Sequence, residues 1–252
     1  MEHDPRMALV ADNLTKHYAG ASEPAVAGLN LTIPQGEIFG LLGPNGAGKT
    51  TTLSMLSTIL KPSDGAITVC GIDSLRYPME ARRLIGLVPQ DIALYPELTA
   101  RENLTFFGRL HGLRGNHLKT RVLETLCAVG LENKADETLA TYSGGMKRRA
   151  NLAAGILHGP QLLFLDEPTV GIDTQSRGLI LEMLQGMKKS GTTLLYTTHY
   201  MEEAEQICDR VAIMDQGRIL ARGTIPQIMA DHPPCDNLGA LFLQLTGKSL
   251  RD

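Results

Sequence analysis

Apolar and polar positions alternate in part over residues 7–18 and 29–33, which predicts two half-buried strands. Residues 37–42 (EIFGLL) form a nearly unbroken apolar run, as a strand covered on both faces requires. Apolar residues then recur at helical spacing through TLSMLSTIL, and Lys61-Pro62 is expected to stop that helix. Residues 66–70 and 84–88 read as further strands. From about residue 91 helices dominate: Thr99 and Glu102 form a capping-box pattern ahead of a helix to about Leu110, and residues 117–129 have helical period and end at Gly130. After Ser143 the texture returns to α/β. A helix runs to about Leu157, strands follow at 161–165 and in TTLLYTT, Asp173 caps a helix ending near Gly191, and a short helix covers 201–208. RVAIM and RILAR flank Asp215-Gln216-Gly217 as a hairpin, and Thr224 opens one more helix. The last twenty residues carry no clear pattern.

The chain of 252 residues suits one α/β domain with an inserted helical subdomain, placed at about 91–160, and a short extension at about 224–252. A balance of 24 basic and 27 acidic residues gives a net charge of −3 and no footprint for nucleic acid, and the absence of Trp argues against base-stacking platforms. Four scattered cysteines without a CxxC pair fit neither a disulfide scaffold nor a zinc knuckle. The amino terminus lacks an apolar leader, and no stretch approaches the ~18 apolar residues of a membrane span.

Gly43-Pro44-Asn45-Gly46-Ala47-Gly48-Lys49-Thr50 matches the phosphate-loop pattern between a buried strand and a helix. Its glycines let the backbone bend with N–H groups facing a phosphate chain, and the helix start adds free donors. Lys49 is expected to reach the β- and γ-phosphates, Thr50 to offer a hydroxyl to Mg²⁺, and Thr51 to bond the α-phosphate. Residues 162–167 describe a buried strand ending in two acids. Asp166 suits the Mg²⁺ site, and Glu167 is placed to activate the attacking water. His199, just after the TLLYTT strand, is expected near the γ-phosphate.

These residues together resemble the ATP-binding cassette family, the ATPase subunits of ABC transporters, over nearly the whole chain. The resemblance implies an α/β fold: a phosphate-loop NTPase core with a mainly parallel sheet, an antiparallel β-subdomain and an inserted helical subdomain. It implies that Tyr18 stacks on adenine, and that Gln90 touches Mg²⁺ and water and links to a transmembrane partner. By the same likeness, Ser143, Gly144 and Gly145 belong to the signature that closes the ATP site of a second cassette, and Val170–Asp173 crosses that dimer interface. Tyr142 and Met146 stand where the usual signature has Leu and Gln. With GIDTQSR, TTHYMEEAE and the tail at 241–252, this variant resembles the drug, antibiotic and polysaccharide export branch. The triplet Lys147-Arg148-Arg149 that follows belongs to the same variant; by composition alone it reads as a solvated helix face, and a net charge of −3 argues against its binding DNA. ATP and Mg²⁺ as cofactors follow from the resemblance. So do a transmembrane permease and a second, identical cassette in an ATP-dependent dimer as partners, no nucleic acid, and a cytoplasmic position on the inner face of the membrane. The competing class is a soluble cassette ATPase acting on chromosomes or ribosomes. The 94 residues between Lys49 and Ser143 hold no sustained heptads, and the chain has room for one cassette. A non-hydrolysing cassette fits less well, because Lys49, Glu167 and His199 are all present.

Overall fold

The computed structural model describes residues 6–233 and 235–247. Residues 1–5 at the amino terminus and 248–252 of the tail lie outside them.

Two sheets face each other across helix α1 (Lys49–Leu56). The first is antiparallel, in the order β2 (Val26–Pro34), β1 (Met7–Lys16), β4 (Asp64–Val69), β5 (Ile72–Asp73). The second runs β10 (Arg218–Gly223), β9 (Arg210–Asp215), β3 (Ile38–Leu42), β8 (Thr193–Thr198), β7 (Leu162–Asp166), β6 (Ile85–Val88). Its strands are parallel except β10, which returns antiparallel on β9. The reason for the apolar runs is visible in β7. Leu162 and Phe164 face α1 and the first sheet, while Leu163 and Leu165 face a second core built with α5 (Gly144–Ile156) and α6 (Thr174–Lys189). A strand covered on both faces has no polar side to show.

Helices α3 (Ala100–Leu110), α4 (Gly115–Ala128) and α5 enclose a core of their own around Leu104, Leu118, Val122 and Leu126. Thr99 caps α3 as the sequence pattern implies: its hydroxyl accepts from the Glu102 amide at 3.1 Å, and the Glu102 carboxylate accepts from the Thr99 amide at 2.9 Å. Arg149 turns inward and donates to the carbonyls of Val129 and Gly130, satisfying the end of α4. Helices α7 (Met201–Ile207), α8 (Ile225–Asp231) and α9 (Leu238–Thr246) pack on the end of the second sheet around Leu42, Ile213 and Phe242.

Three elements depart from the sequence pattern. Helix α1 ends at Leu56, short of Lys61-Pro62, because Thr58 adopts φ +65°. Arg82 captures that residue, donating to its hydroxyl at 2.8 Å and its carbonyl at 2.9 Å. Helix α2 (Pro78–Leu84) was not anticipated, although Pro78 at its first turn is a start signal. Helix α9, in the patternless tail, starts at Asn237, whose side chain accepts from the Ala240 amide at 2.8 Å. All four cysteines are unpaired. No helix among the described residues is long and apolar enough to cross a membrane.

Candidate active site

The site lies at the carboxyl ends of β3, β7 and β8. The chain leaves β3 through residues 43–48 and turns into α1. Gly43 has no room for a side chain, since a Cβ would sit 2.3 Å from the Met214 carbonyl oxygen. Gly48 combines φ +103° with the Ala25 carbonyl 2.5 Å from a would-be Cβ. No side chain caps α1 and no acid occupies its first turn, so its leading N–H groups and its dipole are left for an anion. Thr50 is exposed on this turn and Ala47 is buried beneath it.

Lys49 is 5% exposed and donates to the carbonyls of Gly43 at 2.8 Å and Pro44 at 3.1 Å. It also pairs with Glu167, Nζ to Oε1 at 3.2 Å, while the other Glu167 oxygen lies 3.1 Å from His199 Nδ1. Three groups from three strand ends thus meet in one line: phosphate-loop lysine, carboxylate, imidazole. The sequence placed each near the γ-phosphate. Their direct contact with one another was not legible from it.

Glu167 holds φ +46°, a conformation few non-glycine residues adopt. Thr197 fixes it there. The Thr197 hydroxyl accepts from the Glu167 amide at 3.0 Å and donates to Asp166 Oδ1 at 2.7 Å. Asp166 is buried and has no ion pair among the described residues. A lone buried carboxylate beside a phosphate loop with a hydroxyl at Thr50 suits Mg²⁺, which takes one or two protein ligands together with phosphate oxygens. No cluster of three His, Cys, Asp or Glu among the described residues forms an all-protein metal cage.

Tyr18 follows β1 with its ring half exposed, its hydroxyl 3.4 Å from the Thr51 hydroxyl and Lys16 Nζ 5.5 Å from the ring centre. It is a flat surface beside the phosphate loop. Gln90 is exposed just beyond β6. The pairing of Val88 with Leu165 sets it alongside the exit of β7, but no hydrogen bond of its side chain reaches Asp166 or Glu167. What fixes this segment is α5. Arg148 donates to the Gln90 carbonyl and, at 3.0 Å, to that of Val170. Asn151 donates to the Pro89 carbonyl at 3.1 Å and accepts from the Ala93 amide at 3.2 Å. The basic triplet is therefore not the solvated face its composition implied: Arg148 and Arg149 are both consumed by carbonyls.

Ser143 caps α5 by accepting from the Met146 amide at 3.2 Å. Ser143 and Gly144 are exposed. Gly145 is buried, and a Cβ there would lie 2.1 Å from Ser176 Oγ on α6, so this glycine also permits close approach of two helices. Tyr142, in the place of the usual leucine, buries its ring and donates its hydroxyl to the Lys134 carbonyl at 2.5 Å. No hydrogen bond or ion pair among the described residues joins this segment to residues 43–49. Asp173 caps α6, and hydrogen bonds from Ser176 hold its carboxyl below the usual range.

Between the second sheet and the three-helix unit runs a groove of about 290 Å³ past Leu87, Pro89, Phe107 and Asn151. His111 and His158 stack in it, 3.8 Å between centres and 5° from parallel. His158 Nε2 lies 2.8 Å from the Ile85 carbonyl, which assigns the proton to that nitrogen. Burial, helped by His111, lowers the His158 pKa to about 4.

Comparison with known proteins gives the family. Residues 26–170 match the ABC transporter family model. The chain is 46% identical over 97% of its length to the linearmycin resistance ATP-binding protein LnrL of Bacillus subtilis, spanning 76% of that protein. It is 42% identical over 97% of its length to the daunorubicin/doxorubicin resistance ATP-binding protein DrrA of Streptomyces peucetius, spanning 72% of it. Against the Nod factor export ATP-binding protein I of Paraburkholderia xenovorans the identity is 44%, covering 92% of this chain and 76% of that one. The solved structure of an ATP-binding subunit of an ABC transporter superposes with a TM-score of 0.85 at 30% identity, over 95% of this chain and 99% of that one. A dimeric ATP-binding cassette in a post-hydrolysis state, bound to ADP and Pi, gives 0.78 at 27% identity, over 86% and 98%. A phosphate loop joined to a buried carboxylate and a histidine, in a chain matched by these relatives along almost its whole length, belongs to the ABC transporter family as an ATP-binding, ATP-hydrolysing subunit.

Proposed function

We propose that this subunit hydrolyses ATP between two paired cassettes and powers export through a separate transmembrane permease, from the inner face of the membrane. The contact of Lys49, Glu167 and His199 carries the reading. Lys49 binds the β- and γ-phosphates, exchanging Glu167 for a stronger anion, and Glu167 is thereby freed to take a proton from water. His199 holds the other carboxylate oxygen and orients it. Thr50 and Asp166, with Gln90 at the rim, would hold Mg²⁺, which would supply neutralising charge for the phosphates. Residues 43–51 bind the phosphate chain and Tyr18 stacks on adenine. Ser143, Gly144 and Gly145 present the α5 start to the nucleotide of the opposing cassette, which explains why Ser143 and Gly144 are open to solvent.

The groove near Gln90 receives a short helix of the permease, since its walls come from both halves of the chain and Arg148 ties its rim to the Val170 loop. An antibiotic, drug, lipid or polysaccharide is the cargo class, because the relatives in hand are named for antibiotic resistance and Nod factor export. Cysteines placed around Gln90 should crosslink to a co-expressed membrane protein in membranes. Capture of ribosomal or chromosomal proteins alone would favour the soluble alternative.

A further inference from the structure

The segments leaving β7 and β8 carry Glu167 and His199, and both are tied to one buried carboxylate that the reaction does not use. Glu203, on α7, is 3% exposed. Its Oε2 accepts from the Thr169 hydroxyl at 2.9 Å, from the Thr198 hydroxyl at 3.2 Å and from the Tyr196 hydroxyl. Thr169 lies two residues after Glu167, and Thr198 immediately precedes His199. The other oxygen lies 3.3 Å from Arg177 Nε on α6, without hydrogen-bond alignment. The Arg177 guanidinium covers the Tyr200 ring at 4.8 Å, and that ring leans on His199 at 4.2 Å. Burial first, and the Glu203 charge second, raise the Tyr196 phenol, which stays a donor.

A buried carboxylate is costly unless its lone pairs are filled, so its donors are held as firmly as it is. The strained Glu167 backbone persists only if its surroundings over-determine it. Thr197 does so on one side, and Thr169 on the other. We propose that Glu203 is a positioning residue that fixes the separation of Glu167 and His199 by joining the two segments that carry them. Through Arg177 it ties the same point to α6, which starts at the Val170–Asp173 loop. This rests on Glu167 and His199 being the reacting pair.

The nucleotide contacts of residues 43–51 do not pass through Glu203, so affinity and rate should separate. Glu203→Ala should lower kcat about 10–100-fold, the scale of a misplaced catalytic group, with KM for ATP and the affinity for a fluorescent ATP analogue within about threefold. Glu203→Gln, which keeps one acceptor oxygen, should recover most of the rate. In a His199→Ala chain, measured by single turnover, Glu203→Ala should cost less than about twofold more, because the separation it sets no longer matters once the imidazole is gone and Thr197 still holds Glu167. Three outcomes overturn the proposal: a folded Glu203→Ala chain with wild-type kcat, losses of rate and affinity in equal proportion, or losses that multiply in the double variant. A His199→Ala chain with wild-type kcat would remove the reacting-pair reading as well. Multiplying losses would remove this proposal alone.

Discussion

Lys49 and Glu167 are buried and, with the largely enclosed His199, bound to one another, whereas Ser143 and Gly144 stand in the open, with the Ser143 hydroxyl capping the start of α5. Both regions are phosphate-binding candidates by sequence. They differ in how far one chain completes them. The first has its geometry set by Thr197, by the phosphate-loop carbonyls and by a strained backbone, so it is organised before any second molecule arrives. The second has a finished helix cap, with Ser143 and Gly144 open to solvent. A region complete in one chain should fail by loss of a single group. A region left open should fail by loss of pairing.

The sharpest break removes only the Glu167 carboxylate charge. Glu167→Gln should lower turnover by ~10²–10⁴-fold while ATP still binds. With hydrolysis blocked, the protein should move from monomer to dimer in ATP-Mg²⁺ by light scattering, and adding Ser143→Arg should reverse the shift. An inactive variant that stays monomeric at saturating ATP would sink the idea that the open region is completed by a second copy of the isolated subunit.

Lys49→Ala tests the other side of the comparison. It removes charge-assisted bonds of about 1.5–3 kcal/mol, so ATP affinity should fall roughly 10–100-fold in equilibrium titration. Unchanged affinity would place the nucleotide elsewhere.

Gly145→Ala separates packing from anion binding. Forcing a methyl onto Ser176 should destabilise the fold by about 1–3 kcal/mol in urea titration. Ser176→Gly in the same chain should restore most of that stability. No rescue would mean that the helix approach is not what the glycine serves.

Tyr18→Ala should weaken ATP by about 1–3 kcal/mol, the scale of base–aromatic stacking. Tyr18→Phe should be close to wild type. Equal losses would implicate the hydroxyl and its contact with Thr51.

The smallest effect is expected from acid. The unfolded chain takes up a proton on His158 near pH 6.5, while the folded chain resists it to about 4. The neutral pair with His111 therefore contributes fully above pH 6.5, and its contribution is lost as the pH falls toward 4. After allowing for partial exposure, this is on the order of 1 kcal/mol. The melting temperature should fall by about 2–4 °C over that interval. His158→Asn should flatten this part of the profile, and an unchanged slope would refute the assignment.

Sequence pattern made the buried strands legible because both their faces are covered, and the phosphate loop legible because its chemistry admits few residue types. It could not show the Lys49–Glu167 contact, since those residues are 118 positions apart and meet only when β3 and β7 flank β8. Glu203 sits in an ordinary acidic stretch, MEEAE, whose polar look gives no hint that one of its acids is enclosed. Arg148 and Arg149 were hidden for the same reason: composition counts charges but not the carbonyls waiting for them. Apolar spacing carries helix α1 too far because the residue that ends it, Thr58, is held by Arg82 from α2, 24 positions along the chain.

The double grip of Arg148 on the carbonyls of Gln90 and Val170 bears on how this chain could drift. A guanidinium spans two separate acceptors with a planar fork, and an ammonium offers only a point. Position 147 should accept any long polar side chain, while position 148 should be closed even to lysine. Lineages that lose the arginine would have to reshape both loops in the same step, so the two substitution histories should look nothing alike although the residues are neighbours.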